Sequence, residues 1–268
     1  MSRSMVRALH LIARAATAPM ARGRQQITLA MLAERLAQRV PVAVPGGTAL
    51  VFECLSARAL HDPLNFGKDE PETIAWIDSL PAGERFWDIG ANIGLYALYA
   101  AARGQQVMAF EPSAASFAAL CRNVEINGLG ERVSPYCLAF AAETGLSELH
   151  MANTAAGHSM HSLGGAETIG GRLQASFRQA IPGYSVDGLR ALFGLPAPQH
   201  IKLDVDGLEA EILAGARETL REVQTLLVEI DGSARDAGAI GIRAQLTAAG
   251  LVEQPAGPEA RNVVFRRG

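Results

Sequence analysis

The stretch Phe86-Trp87-Asp88-Ile89-Gly90-Ala91-Asn92-Ile93-Gly94 constrains this chain more than any other. An apolar run closes on an acid and then on two glycines four residues apart, and Leu95 to Ala102 continues in helix-forming residues. The pattern predicts a strand, a tight turn and a helix N-terminus. Glycines there let the backbone approach a ligand, while the free N–H groups and dipole of the helix favour electron-rich groups. The turn is therefore expected to bind a cofactor.

The residues that follow place the turn in a parallel sheet. Gln106 to Phe110 reads as a second buried strand ending in the acid Glu111 and Pro112. Ser113 can cap a helix carrying Phe117, Leu120, Val124 and Ile126, which stops at Asn127-Gly128. Val133 to Ala139 is a third strand. Strand and helix alternating with short turns mean right-handed crossovers. The order then breaks: Leu146 to Met151 and Ser176 to Ile181 read as extra strands around a long Gly-, Ser-, Thr- and His-rich loop, Asn153 to Gly171. Such a loop inside a compact domain is more often functional than idle. A short helix over Asp187 to Phe193, a strand over His200 to Asp204 and a helix over Gly207 to Leu220 follow. Thr225 to Ile230 gives the next strand, ending in Glu229 and Asp231, then comes a helix over Ile240 to Ala249. Leu251 to Glu253 and Asn262 to Phe265 can close the sheet as an antiparallel pair.

Ahead of the turn, residues 1 to 40 have helical spacing at Leu9, Ile12, Ala13 and Ala16 and again at Leu29, Leu32, Ala33 and Leu36, with Pro19 and Gly23 between two helices. Seven arginines here, at 3, 7, 14, 22, 24, 35 and 39, face only Glu34. A solvated helix face is the simpler reading, and contact with an anionic membrane or partner the rival. Val42 to Val44 and Ala49 to Leu55 around Pro45-Gly46-Gly47 suggest a β-hairpin, His61 to Gly67 a loop, and Pro71 to Leu80 a helix.

Charge and cysteines exclude several classes. A net charge of −3 gives no global basic field for nucleic acid. Three cysteines without CxxC spacing suggest neither a disulfide framework nor a zinc site, and fit a reducing cytoplasm. No window suits a spanning helix, and Arg14 interrupts the one apolar stretch that a secretory signal would need.

The cofactor is narrowed by what is missing. Counting from Gly90, the second and third glycines of a dinucleotide fingerprint are Asn92 and Leu95, and no Gly-Lys-Ser/Thr follows Gly94. An acid about twenty residues on, Glu111, suits both hydroxyls of a ribose. An adenosine cofactor without phosphates fits best, with S-adenosylmethionine the obvious candidate.

From Glu70 to Phe265 the chain resembles the FkbM family of S-adenosylmethionine-dependent methyltransferases. The likeness rests on Trp87 to Gly94, on Ala109-Phe110-Glu111-Pro112 with Asn123 to Leu129, on Ile201-Lys202-Leu203-Asp204-Val205-Asp206-Gly207-Leu208-Glu209, and on Leu226 to Ile230. Asp206 stands where the family has glutamate more often. The resemblance implies an α/β class I methyltransferase fold: a Rossmann-like, seven-stranded, mostly parallel sheet with one antiparallel strand, here over residues 70–268, after a helical and hairpin extension over 1–69. It implies methyl transfer, usually to oxygen. Where such proteins often carry an aspartate near the adenine, this chain has Ala141-Ala142-Glu143, so Glu143 substitutes or a backbone N–H holds the base.

The residues expected to hold the cofactor are Asp88, Gly90, Ala91, Asn92, Gly94, Glu111, Pro112, Ala142, Glu143 and Asp204. Asp204 and His158 are the candidates for catalysis. A hydroxyl is a poor nucleophile until its proton leaves, so a base within hydrogen-bond reach is required. Asp204 ends a strand beside the cofactor strand, although it could instead cap the helix from Gly207. His158, in His158-Ser159-Met160-His161-Ser162, could accept the proton near neutral pH, with Asn153 holding an acceptor hydroxyl. Glu209 and Glu211 read as solvated helix residues. No ligand spacing such as HExxH calls for a metal. The expected acceptor is a hydroxyl on a sugar, glycan, lipid or secondary metabolite. N-methylation and cofactor binding without turnover stay open, as does association between copies.

Overall fold

A computed structural model of the chain describes residues 2–158, 161–164, 167–168, 171–172, 174–230, 237–255, 257 and 261–268. It divides into two compact units, Met1–Arg39 and Val40–Gly268. The first holds two helices, Ser2–Thr17 and Arg22–Arg35. The chain turns between them at Ala18 to Met20, as Pro19 predicts, whereas Gly23 lies inside the second helix. The Thr17 hydroxyl donates back to the Ala13 carbonyl and accepts from Gln25 Nε2, holding the turn.

The second unit is built on a seven-stranded sheet in the order Leu251–Glu253, Asn262–Arg267, Thr225–Glu229, His200–Leu203, Arg85–Ile89, Gln106–Phe110, Val133–Tyr136. All neighbours pair in parallel except those of Asn262–Arg267, which runs antiparallel to both strands beside it. Helices cover both faces, so the strands are apolar on both, and alternate residues feed two cores. Phe86, Val107, Ala109 and Leu227 join one core; Trp87, Ile89, Phe110, Leu226 and Val228 join the other. In the second core Trp87, Phe110 and Phe140 pack with ring centroids 4.8–6.1 Å apart, in the range where aromatic pairs attract.

Several boundaries differ from the sequence reading for local reasons. The third strand stops at Tyr136, and its Pro135 is tolerated because this is the sheet's edge. Ala139–Phe140 then joins a separate four-stranded sheet with Phe177–Tyr184, Gly145–Met151 and Ser162–Leu163. The long loop is thus partly structured. The helix expected from Gly207 to Leu220 is two, Glu209–Ala214 and Arg217–Leu220. They part at Gly215, where a Cβ would lie 2.8 Å from the Ala141 carbonyl oxygen. Ser113 sits at the predicted N-cap, but its hydroxyl makes no capping bond.

Before the first strand of the main sheet, Leu50–Cys54 pairs with Gln38–Val42 in a two-stranded sheet, with Gln38–Val42 earlier than the Val42 to Val44 run expected for it, and His61–Leu64 is a helical turn where a loop is expected. Two amides of the helix Ala114–Ile126 and its end fasten Leu50–Cys54. Asn127 Oδ1 accepts from the Val51 N–H and its Nδ2 donates to the Val51 carbonyl, while Asn123 Oδ1 accepts from the Glu53 N–H. Asn123 Nδ2 donates to the Ile93 carbonyl, linking that strand to the Asp88 to Gly94 turn.

Candidate active site

The turn takes the shape its glycines permit. Gly90, Asn92 and Gly94 all have positive φ, at 87°, 49° and 90°. The N–H groups of Gly90 and Ala91 both donate to the Phe110 carbonyl, and the Gly94 N–H to Ala91. A Cβ on Gly90 would lie 1.8 Å from the Asp204 carbonyl oxygen, so only glycine admits the neighbouring strand end at this distance.

Glu111 closes the other side. Its Oε2 accepts from the Asn92 N–H at 2.9 Å and its Oε1 from the Ser113 N–H at 2.7 Å. Burial still pushes its carboxyl up to about 7, against those two bonds. Asp88 is buried as well and pushed up to about 6, by burial first and then by Asp204 and Glu70, with Lys202 opposing. Among the described residues, Asp88 Oδ1 and Asn92 Oδ1 are buried acceptors with no hydrogen-bond partner. Buried oxygens of this kind cost free energy until a donor reaches them.

Beside the turn lies an ion pair that the sequence reading left without a role. Lys202 is 2% exposed, between Ile201 and Leu203 in a buried strand, and registers directly against Asp88. Its Nζ donates to Asp204 Oδ2 at 2.7 Å and stands 5.1 Å from the Tyr96 ring centroid. Burial alone would lower the lysine, but Asp204, Asp88 and Glu70 together outweigh it and hold the ammonium charged. Burial likewise opposes ionisation of Asp204, and Lys202 overcomes it, leaving the carboxyl below its usual range. A lysine flanked by Ile201 and Leu203 in a strand expected to be buried was the available signal.

Asp204 does not cap a helix. The loop after it is held by Glu209, whose Oε1 accepts from the N–H groups of Val205 and Gly207. Glu209 is 6% exposed and not the solvated residue expected, because its helix starts at this residue and the carboxylate folds back over the preceding loop. Asp206, at φ 57°, sits in that loop and lines the cavity.

These groups share one cavity of about 660 Å³. On it lie Asp88, Gly90, Ala91, Asn92, Glu111, Pro112, Asp204 and His158 of the residues expected from the sequence. Gly94 shapes the turn from outside: a Cβ there would meet Leu120 at 2.5 Å. Ala142 and Glu143 do not line the cavity and are exposed; Leu138, Ala139 and Phe140 stand on it instead, because the chain leaves the main sheet after Tyr136. Asn153 is exposed and accepts from the Ala155 N–H. Ser159, Met160 and Asp231 lie outside the described residues.

Arg58, Asp62, Asn65 and Asp69 also line the cavity with His158 and His161, and so does Glu70, which is close enough to Asp88 and Lys202 to act on both; the sequence signalled none of these five carboxyl, amide and guanidinium groups. Glu70 accepts from the Thr73 hydroxyl, and burial raises its carboxyl. His161 is lowered by burial first, then by His158. The histidines reach the wall because Ser56 donates to the Ala156 carbonyl and Gly157 packs on Ala59. Among the described lining residues eight are carboxylates, against Arg58, Lys202 and Arg261 as permanent cations. Such a lining favours a cationic ligand and one rich in hydrogen-bond donors.

Comparison with known proteins gives these features a family. The chain is similar to the hexuronic acid methyltransferase AglP of Haloferax volcanii, at 30% identity over 145 residues, and spans 54% of that protein with 54% of its own length. Among solved structures it is similar to magnesium protoporphyrin IX methyltransferase from Synechocystis PCC 6803 with bound SAM, at 12% identity and TM-score 0.47, over 80% of this chain and 85% of that one. It is also similar to precorrin-6y C5,15-methyltransferase from Geobacter metallireducens GS-15, at 12% identity and TM-score 0.44, over 74% and 87%. The seven-stranded sheet has a single antiparallel strand, Asn262–Arg267. The methyltransferase FkbM domain matches residues 88–259, and with the glycine turn, Glu111 and the Lys202 to Glu209 loop inside that span, the chain belongs to the FkbM methyltransferase family.

Proposed function

We propose that this chain is an S-adenosylmethionine-dependent methyltransferase acting on a hydroxyl of a sugar or glycan. The observation that carries the reading is the pair of unpartnered buried acceptors, Asp88 Oδ1 and Asn92 Oδ1, at a glycine turn whose Asn92 N–H is held by the carboxylate of Glu111. A sulfonium cofactor with an ammonium group and a ribose diol brings the positive charge and the donors that these oxygens lack, so the residues fit the group. Asp88, Gly90, Ala91 and Asn92 would hold its amino-acid end, Glu111 its ribose, and Leu138 to Phe140 its base. When bound, it supplies a methyl group already activated for transfer.

What remains for the protein is to place an acceptor oxygen and remove its proton. Positioning of this kind is worth about 7–11 kcal/mol in favourable systems. Lys202 lowers the proton affinity of Asp204, which therefore suits orienting the hydroxyl as a hydrogen-bond acceptor better than keeping its proton. His158, on the same cavity, is the side chain suited to take it. The carboxylate-rich wall supports an acceptor with many hydroxyl donors, and the relative named for a hexuronic acid supports a sugar.

Calorimetry with S-adenosylmethionine and S-adenosylhomocysteine, followed by labelled methyl transfer to neutral sugars, uronic acids, lipids and amines, tests the reading. Micromolar binding with label in a methyl ether of a sugar is expected. Absence of cofactor binding overturns the whole reading, and label found only on amines overturns the acceptor.

A further inference from the structure

The unit Met1–Arg39 carries a feature that the cavity does not use. In its first helix, Ser2–Thr17, Arg3, Arg7, His10 and Arg14 recur at intervals of four, three and four, which places them on one stripe. Met5, Leu9, Ile12 and Ala16 recur at the same intervals, offset by two residues. Two residues are about 200° around a helix, so the apolar stripe lies opposite the basic one. Both are bare: Met5, Leu9 and Ile12 are 63%, 58% and 63% exposed, and the three arginines are exposed too. The second helix adds exposed Ile27, Met31 and Leu32, with Arg22, Arg24 and Arg35.

The charge is lopsided. Of 24 Lys and Arg and 27 Asp and Glu in the chain, seven arginines and one glutamate fall in residues 1–39, leaving 17 cations and 26 acids for the rest. Residues 1–33 contain no acid at all, although solvated helix faces usually mix both signs for solubility and side-chain pairing.

We propose that the Ser2–Thr17 helix docks this protein on an anionic lipid surface, lying in the plane of the interface. A folded acidic partner would engage the arginine stripe and leave the apolar stripe wet, because the two point apart. An apolar partner groove would do the reverse. The boundary of a bilayer takes both: Met5, Leu9 and Ile12 sink below the headgroups, and the long arginine side chains bend back to the phosphates. Among the described residues no helix is long and apolar enough to cross a membrane, so the contact is peripheral.

The test is flotation of the full chain with vesicles of phosphatidylcholine alone and of phosphatidylcholine with about 30% phosphatidylglycerol. Binding is expected to the anionic vesicles and to weaken in high salt. Arg3→Glu/Arg7→Glu/Arg14→Glu should lower partitioning by about 100-fold or more, since each basic residue near such a surface contributes about fivefold. Leu9→Asp/Ile12→Asp should also abolish it, with cofactor binding by calorimetry unchanged in both variants as the control for folding. No flotation of the wild-type chain overturns the proposal, as does flotation that the apolar variant leaves intact. Light scattering that shows a dimer dissolved by Leu9→Asp/Ile12→Asp, without vesicle binding, assigns the face to a second copy and overturns it equally.

Discussion

The two walls of the cavity are made in different ways. The Asp88 to Gly94 wall is main chain: strand ends locked by sheet register, N–H groups that meet the Phe110 carbonyl and Glu111, and a glycine in contact with the next strand's carbonyl. The wall of Arg58, Asp62, Asn65 and Asp69 is side chain, standing on a loop and a single helical turn, with exposed or half-exposed groups. Main chain that depends on glycine tolerates little change. Side chains on connecting segments can be exchanged without disturbing the sheet, which is how one scaffold keeps a cofactor and changes its acceptor.

The sharpest way to break this contrast is Gly90→Ala. The new Cβ would overlap the Asp204 carbonyl oxygen, and the positive φ adds strain, so a loss of more than about 4 kcal/mol of stability is expected, at the exceptional end for one substitution. Denaturant unfolding measures it. A variant of wild-type stability that still binds cofactor would show that the close approach is not maintained.

Glu111→Ala should come next. It removes the acceptor for the Asn92 and Ser113 N–H groups and the partner proposed for the ribose, and about a 100-fold weaker cofactor Kd is expected, with acceptor KM changed less than about threefold. Equal losses for both ligands would remove the ribose assignment.

The same wall predicts a pH dependence whose sign follows from burial. Asp88 at about 6 and Glu111 at about 7 have carboxyls raised above their unfolded values, so the folded state holds protons that the unfolded chain has released. Their contribution to stability without cofactor is therefore full below about pH 4 and is lost as pH rises through 6 to 7. A cationic cofactor prefers the ionised forms, so its affinity should move the other way and rise about tenfold from pH 5.5 to 7.5. Calorimetry across that range checks it, and affinity that is flat with pH would place the ligand away from both carboxyls.

What could be read from the sequence divides along the same line. The glycines, the acid ending the second strand and the alternating apolar runs each reflect a backbone requirement, and backbone requirements restrict residue type. Glu209 was misread because a glutamate in the first turn of a helix looks solvated unless the preceding loop is known to need its carboxylate. Ala142 and Glu143 stand off the cavity because a two-residue strand, Ala139–Phe140, diverts the chain into another sheet, and so short a run has no periodicity to detect. Asn123 and Asn127 were legible as part of a resemblance, but their work, fastening Leu50–Cys54 across some 70 residues of chain, depends on a contact that no local pattern encodes. Arg58, Asp62, Asn65 and Asp69 had no pattern at all.

Arg58 gives the smallest expected effect and sharpens the contrast from the acceptor side. It lines the cavity at 39% side-chain exposure, with Asp62 3.9 Å away, so its field is shared with a carboxylate and with solvent. Exposed pairs of this kind are worth about 0.2–1 kcal/mol, or roughly one- to fivefold in affinity. Arg58→Ala should therefore raise KM for a uronic acid by about three- to fivefold, leave a neutral sugar within about twofold, and leave the cofactor Kd unchanged. Steady-state kinetics with one acceptor of each kind decides it. Equal effects on both acceptors would mean that the arginine shapes the wall and reads no charge, and a change in cofactor Kd would mean that the two walls are not independent.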